Sequence, residues 1–222
     1  MKLPELMQSK SYPKELLENI EYHSFQANGI EFCIPKYYEF LKVIGEGSYG
    51  IVISVLNVET GENVAIKKIP NVFLNNTICK RIIIELKILQ ILDNENIIGL
   101  FDIFSPDINQ DFKDIYIVTE LLDTDLEKVI LSDQLLPDEY IQYFIYQIIR
   151  GVFYLHSGNF IHSDLKPSNI LVTKTCDIKI CDFGMARSLQ DKSQLSEYVV
   201  TRWYRAPEIL LSSKEYDKPV DI

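Results

Sequence analysis

The spacing of apolar and polar positions changes twice along the chain. From Tyr38 the runs YEFLKVIG, GIVISVLNV and NVAIKKI are short and β-rich, with a Thr60-Gly61 turn before the last, which predicts an antiparallel meander. RIIIELKILQIL, from Arg81 to Leu92, is long for a strand, and its Ile82, Leu86 and Leu89 recur at helical spacing. A helix packed on the sheet is expected there. IIGLFDIF and DIYIVTEL return to strand character on either side of the polar SPDINQDFK, so five strands and a helix make a first lobe. Beyond Leu122, TDLEKVI and PDEYIQYFIYQIIRGVFYLHSG read as helical, the second opening with Pro137, Asp138 and Glu139. The strand pieces FIH, ILVT and IKICDF follow, and then an irregular polar stretch to about Arg202 whose length predicts a functional loop. Residues 1 to about 35 carry little periodicity, and they read as a mobile arm that packs only towards Phe32 and Ile34.

With 222 residues, 47% hydrophobic and 24% charged, the chain can bury a core as one domain or two small lobes, and it reads as globular and soluble. A formal net charge of -10 disfavours non-specific binding to nucleic acid or an anionic membrane, so an anionic ligand needs a local positive site. Cys33, Cys79, Cys176 and Cys181 lack metal-ligand spacing and read as free thiols of a reducing compartment. The N-terminal stretch has no apolar core of a signal peptide, and no uncharged run is long enough to span a membrane, so secretion and membrane insertion are not expected.

Gly45, Gly47 and Gly50 form G-E-G-S-Y-G at a strand-to-strand turn, followed by Val52. A dinucleotide fingerprint would open a helix, whereas the residues after Gly50 are β-like. Either this is an ordinary glycine-rich hairpin, or the backbone closes over phosphates while Val52 lies against a flat base. Lys67, in V-A-I-K-K, falls on the third strand beside Ala65 and Ile66. A strand lysine is usually solvated, but phosphate binding wants a fixed cation, and Glu85 on the apolar helix can fix it.

H-S-D-L-K-P-S-N, at 162 to 169, puts a base candidate, a cation and a metal-binding amide within one short loop. Asp164 suits acceptance of a hydroxyl proton, Lys166 charge stabilisation on a transferring phosphoryl group, and Asn169 a magnesium ion. His162 reads as a core histidine that braces the turn. Asp182, in C-D-F-G, ends a strand and can reach the same magnesium-phosphate cluster, with Phe183 packing and Gly184 permitting the turn. Each motif alone has a bland reading, and their order along one chain decides for phosphoryl transfer.

From about Phe32 to Ile222 the chain resembles eukaryotic protein kinases, and TELLDTDLEKV, DLKPSNILV and SEYVVTRWYRAPE resemble the mitogen-activated group. The resemblance implies an α+β, bilobal protein kinase-like fold: an extension at 1–35, a complete N-terminal β-rich lobe at 36–121 and an incomplete helical C-terminal lobe at 122–222. It implies ATP and Mg2+ as cofactors. Ile44, Gly45, Gly47, Gly50, Val52, Ala65 and Lys67 would hold the nucleotide, Thr119 would be the gatekeeper, Glu120 and Leu122 the adenine-binding hinge, and Asp125 a ribose contact. Asn169 and Asp182 would hold the metal, and Thr201 would brace Asp164 and Lys166. Protein substrates phosphorylated at Ser/Thr-Pro sites, an upstream dual-specificity kinase acting on Ser196 and Tyr198, a monomeric state and a cytoplasmic, or cytoplasmic and nuclear, location are further implications.

Four departures from the family pattern bear on regulation. Ser196 stands for the usual threonine, Ser163 for an arginine before the catalytic aspartate, and Ile84 for a helix arginine, so Arg187 alone of three phosphate-pairing arginines is kept for Ser196. Arg202 and Arg205, which pair with a phosphotyrosine by resemblance, are retained. Asp221 matches a residue near the opening of the family's central C-terminal helix, and the sequence ends at Ile222, so a fragment or truncated product with an uncovered helix at 138–156 is expected. A non-catalytic nucleotide- or partner-binding module is the alternative to an enzyme, and a metabolic small-molecule kinase is a weaker one.

Overall fold

Packing begins further upstream than the periodicity suggests. The computed structural model describes residues 20–47, 50–106, 113–189, 203–211 and 217–222. Tyr22–Ala27 (β1) and Ile30–Pro35 (β2) pair antiparallel around Asn28 and Gly29. Their φ values of 47° and 76° suit the mirror-image turn that matches strand twist. Phe32 and Ile34 are fully buried against the main sheet, and the Cys33 N–H donates to Tyr116 Oη at 3.1 Å. The arm expected at 1–35 is therefore a folded hairpin from Tyr22 onward, because alternate side chains of both strands have a sheet face to bury.

The main sheet comprises Tyr38–Gly47 (β3), Gly50–Asn57 (β4), Glu62–Ile69 (β5), Leu100–Phe104 (β6) and Ile115–Glu120 (β7), in the order β3-β4-β5-β7-β6 and antiparallel throughout. Strand alternation divides its faces. Ile53, Val55, Val64, Ile66, Tyr116 and Val118 pack with the hairpin, whereas Ile69 and Ile117 pack with Ile82 of the helix Asn76–Ile91 (α1). The Asn75 side chain caps α1, accepting from Thr77 N at 2.9 Å and Ile78 N at 3.2 Å. That cap starts the helix before Arg81, where the apolar spacing first becomes visible.

The second lobe opens with a short strand, Thr124–Asp125 (β8), ahead of the helix Leu126–Leu131 (α2). Asp138–Ser157 (α3) follows, with Asp138 and Glu139 in its first turn. Phe160–Ile161 (β9) pairs with Arg187–Ser188 (β12), and Ile170–Val172 (β10) lies between β8 and Ile178–Ile180 (β11). Phe144, Val152 and Leu155 of α3 form one core with Ile170, Val172, Ile178, Ile180 and Phe183. The opposite side of α3 leaves Ile145, Ile149 and Phe153 exposed, at 52%, 57% and 71%. Pro207–Leu210 (α4) ends the regular helices among the described residues. No helix of the described residues is long and apolar enough to cross a membrane.

Candidate active site

The glycine-rich turn is positioned by strand register. Gly47 pairs with Gly50, Gly45 with Val52, and Val52 in turn with Lys67 on β5. A Cβ on Gly50 would lie 1.9 Å from the Lys68 carbonyl oxygen, so only glycine allows β4 to run that close to β5. The Gly50 end of β4 therefore runs tightly beside the lysine strand. Ile44 is half-buried on β3, and Ala65, nearly buried, pairs across the sheet with Thr119.

Lys67 Nζ lies 3.3 Å from both carboxylate oxygens of Glu85. Burial opposes the Lys67 charge, but Glu85 and then Asp182 outweigh it, and its pKa stands above the ordinary value. Burial lifts the Glu85 carboxyl above its ordinary range; Lys67 opposes this and Asp182 adds to it. The pair is a fixed cation held by a carboxylate under strain from its surroundings.

Across the cleft, between β9 and β10, Asp164 receives Lys166 Nζ on Oδ2 at 2.9 Å and Arg205 on Oδ1 at 3.3 Å. Asn169 donates through Nδ2 to the Asp164 carbonyl at 2.9 Å, which leaves its amide oxygen as a ligand atom. Asp182 follows β11 with φ at 64°, a left-handed conformation rare outside glycine, and Phe183 behind it is fully buried. His162 is fully buried; its Nε2 lies 3.0 Å from the Cys181 carbonyl and its Nδ1 accepts from Asp164 N at 3.3 Å, so it braces the loop. Burial, then the Asp182 charge, pushes the Cys181 thiol far up, which leaves it inert.

Lys67, Glu85, Asp164, Lys166, Asp182 and Arg205 thus line one cleft. Among the described residues no group of three His, Cys, Asp or Glu side chains is set to hold a metal by itself. An Asp carboxylate with an Asn amide oxygen instead fits Mg2+ that takes its remaining ligands from water and phosphates. A sequence profile of the protein kinase domain matches residues 38–222.

The chain belongs to the protein kinase domain family.

It is 56% identical over 187 residues to mitogen-activated protein kinase 5 of Oryza sativa subsp. indica, a match covering 84% of this chain and 51% of that protein. Mitogen-activated protein kinase 6 of Arabidopsis thaliana is 52% identical over 203 residues, covering 91% of this chain and 51% of that protein. The mitogen-activated protein kinase homolog NTF6 of Nicotiana tabacum is 47% identical over 218 residues, covering 98% and 58%. The chain spans about half the length of the curated relatives it matches.

Other kinase positions fall at less central places. Asp125 caps α2, accepting from Lys128 N at 2.9 Å, and Leu122 is half-buried against the lower core. Ser163 is buried with φ at 66°, and its Oγ has no hydrogen-bond partner among the described residues, while Ile84 is exposed on α1. Arg187 lies on β12, paired with Ile161. Ser196, Tyr198, Thr201 and Arg202 lie outside the described residues.

Asp221 has a role that local sequence patterns do not reveal. Its fully buried carboxylate accepts from the backbone N–H groups of His162 and Ser163, each at 2.8 Å, and lies 3.0 Å from His156 Nε2. The loop at 162–169 is therefore fastened to a residue 57 positions beyond Asp164, a separation at which spacing carries no signal.

Proposed function

We propose that the chain carries the nucleotide-binding and catalytic part of a serine/threonine protein kinase of the mitogen-activated type, using ATP and Mg2+. The convergence of Lys67-Glu85, Asp164-Lys166 and Asp182 on one cleft carries this reading. In the transfer, a substrate hydroxyl oxygen bonds to the γ-phosphorus as Asp164 takes its proton, and the bridging oxygen leaves with the bond's electron pair on ADP. Lys67 holds phosphate oxygens, Lys166 balances charge on the moving group, and Asn169 and Asp182 hold the metal. Bound Mg2+ supplies further charge neutralisation at the phosphates.

Each carboxylate oxygen of Asp164 carries one cation contact, Lys166 on Oδ2 and Arg205 on Oδ1, so a substrate hydroxyl shares the carboxylate with both. The Arg205 contact supports a resting state relieved when the Ser196-Glu197-Tyr198 loop is phosphorylated, and the resemblance of the S-E-Y and D-L-K-P-S-N motifs to the mitogen-activated group supports Ser/Thr-Pro protein substrates and an upstream dual-specificity kinase. Tyr198 is the stronger switch in this reading, since Ser163 and Ile84 cannot pair with a phosphate on Ser196.

The test is transfer of radiolabelled γ-phosphate to a Ser-Pro peptide by the full protein, after treatment with an activating kinase. Asp182→Asn abolishes transfer while the protein stays folded, and Tyr198→Phe loses more kcat/KM than Ser196→Ala. Full activity of Asp182→Asn sinks the site assignment, and an equal or larger loss in Ser196→Ala sinks the ranking of the switches.

A further inference from the structure

Glu120 ends β7, where the chain leaves the sheet for the second lobe. Its carboxylate turns back to two groups. Oε1 accepts from Gly99 N at 2.6 Å and from Lys179 Nζ at 2.9 Å, and Oε2 also lies 2.9 Å from Lys179 Nζ. Glu120 N donates in turn to the Gly99 carbonyl at 3.3 Å, so the two residues are tied by backbone and side chain together. A Cβ on residue 99 would stand 2.5 Å from Glu120 Oε1. Glycine there makes room for the carboxylate to seat.

Lys179 belongs to β11, and the residue after it is bonded to the same stretch of chain. Ile180 N donates to the Asn96 carbonyl at 2.8 Å, and Ile98 N donates to the Ile180 carbonyl at 3.0 Å. Glu120, Lys179, Ile180, Ile98 and Gly99 therefore form a closed circuit of hydrogen bonds. The strand inside that circuit runs on directly to Cys181 and Asp182. The Lys179 and Glu120 side chains are 21% and 26% exposed, which shields their ion pair more than a surface pair is shielded.

We propose that Lys179 is a positioning residue of the nucleotide site: acting through Glu120, it fixes the backbone that reads the adenine edge relative to the strand that presents Asp182. The proposal rests on the kinase reading and adds a residue that neither a motif nor a contact with nucleotide would mark. A base is read by one donor and one acceptor held in place, so a loosened frame loses base affinity and base discrimination. The triphosphate is held by Lys67 and by metal ligands whose strand stays bonded to Asn96 and Ile98 without the Lys179 side chain, so it does not depend on the Lys179-Glu120 tie.

The experiment compares Mg2+-dependent binding of ATP, GTP and inorganic tripolyphosphate to the full protein and its variants by titration calorimetry. Lys179→Met weakens ATP by roughly threefold to tenfold and narrows the preference for ATP over GTP, while tripolyphosphate binds as before. Lys179→Arg restores most of the ATP affinity. Glu120→Gln reproduces the defect, and combining it with Lys179→Met adds little, because both remove one interaction. Unchanged ATP binding in both Lys179→Met and Glu120→Gln overturns the proposal, and so does an equal loss of ATP and tripolyphosphate, which marks a merely structural pair. Failure of the unsubstituted protein to bind either ATP or tripolyphosphate overturns the kinase reading and the proposal with it.

Discussion

At Glu85 burial and charge pull in opposite directions, and the outcome sets a pH dependence. Burial raises its pKa above the ordinary 4.5, Lys67 resists, and Asp182 reinforces the rise. As pH falls, Glu85 takes up a proton earlier than a solvated glutamate and releases Lys67. ATP binding should therefore weaken with an acid limb above the usual carboxylate range, and a binding profile for Glu85→Gln should lack that limb. Stability runs the other way. Between the ordinary value and the raised folded-state value the folded form holds more protons than the unfolded form, so this group lowers stability as pH rises through that window. Lys67, also raised, contributes fully below its ordinary 10.5 and loses that as pH rises from there through its folded value, so it adds no slope in the acid window. An acid limb that persists in Glu85→Gln would assign it to another group.

Among the elements, the β1-β2 hairpin shows what turn chemistry adds to periodicity. Asn28-Gly29 is the strongest short hairpin signal a sequence offers, yet the flanking strands are short and the alternation of Phe25, Ala27, Phe32 and Ile34 is easy to miss beside a polar N-terminus. Gly29 has φ at 76°, so Gly29→Ala forces a side chain into the left-handed region at a cost of about 1 kcal/mol. The expected outcome is faster labelling of Cys33 by a thiol reagent, since the Cys33 N–H is tied to Tyr116 and loosens with the hairpin. An unchanged Cys33 rate would show that the hairpin is held by its core side chains alone. The meander, the α1 helix and the ordered motifs were legible because each has a local period or a fixed spacing. Asp221 under the loop at 162–169 and Lys179 beside Glu120 were not, since those partners meet only after the chain has folded back; the Asn75 cap is local, but it lies ahead of the apolar period that marks the helix.

For the whole molecule, α3 separates what the fold depends on from what it leaves bare. Its inner face carries Gln147, whose Oε1 accepts from Ile178 N at 3.0 Å and from Asn96 Nδ2 at 3.3 Å, while its Nε2 donates to the Cys176 carbonyl at 2.9 Å. Asn96 continues the network to the Ile178 carbonyl at 3.2 Å and to Ile180 N, and so joins α3, β11 and the segment that leads into β6. Gln147→Leu has nearly the right volume but orphans a buried N–H and part of the Asn96 amide, at about 1–3 kcal/mol for each unsatisfied group. For a chain of this size each kcal/mol moves the melting midpoint by roughly 2–4 °C. A loss of about 4 °C or more is expected for Gln147→Leu in a thermal melt of the 222-residue chain. Ile149, 57% exposed on the outer face, gives the control: Ile149→Ser should move the midpoint by no more than about 2 °C, since little of its surface is buried against this chain. Equal shifts in the two variants would mean that the outer face is covered in solution, and that the polar network is not what joins the lobes.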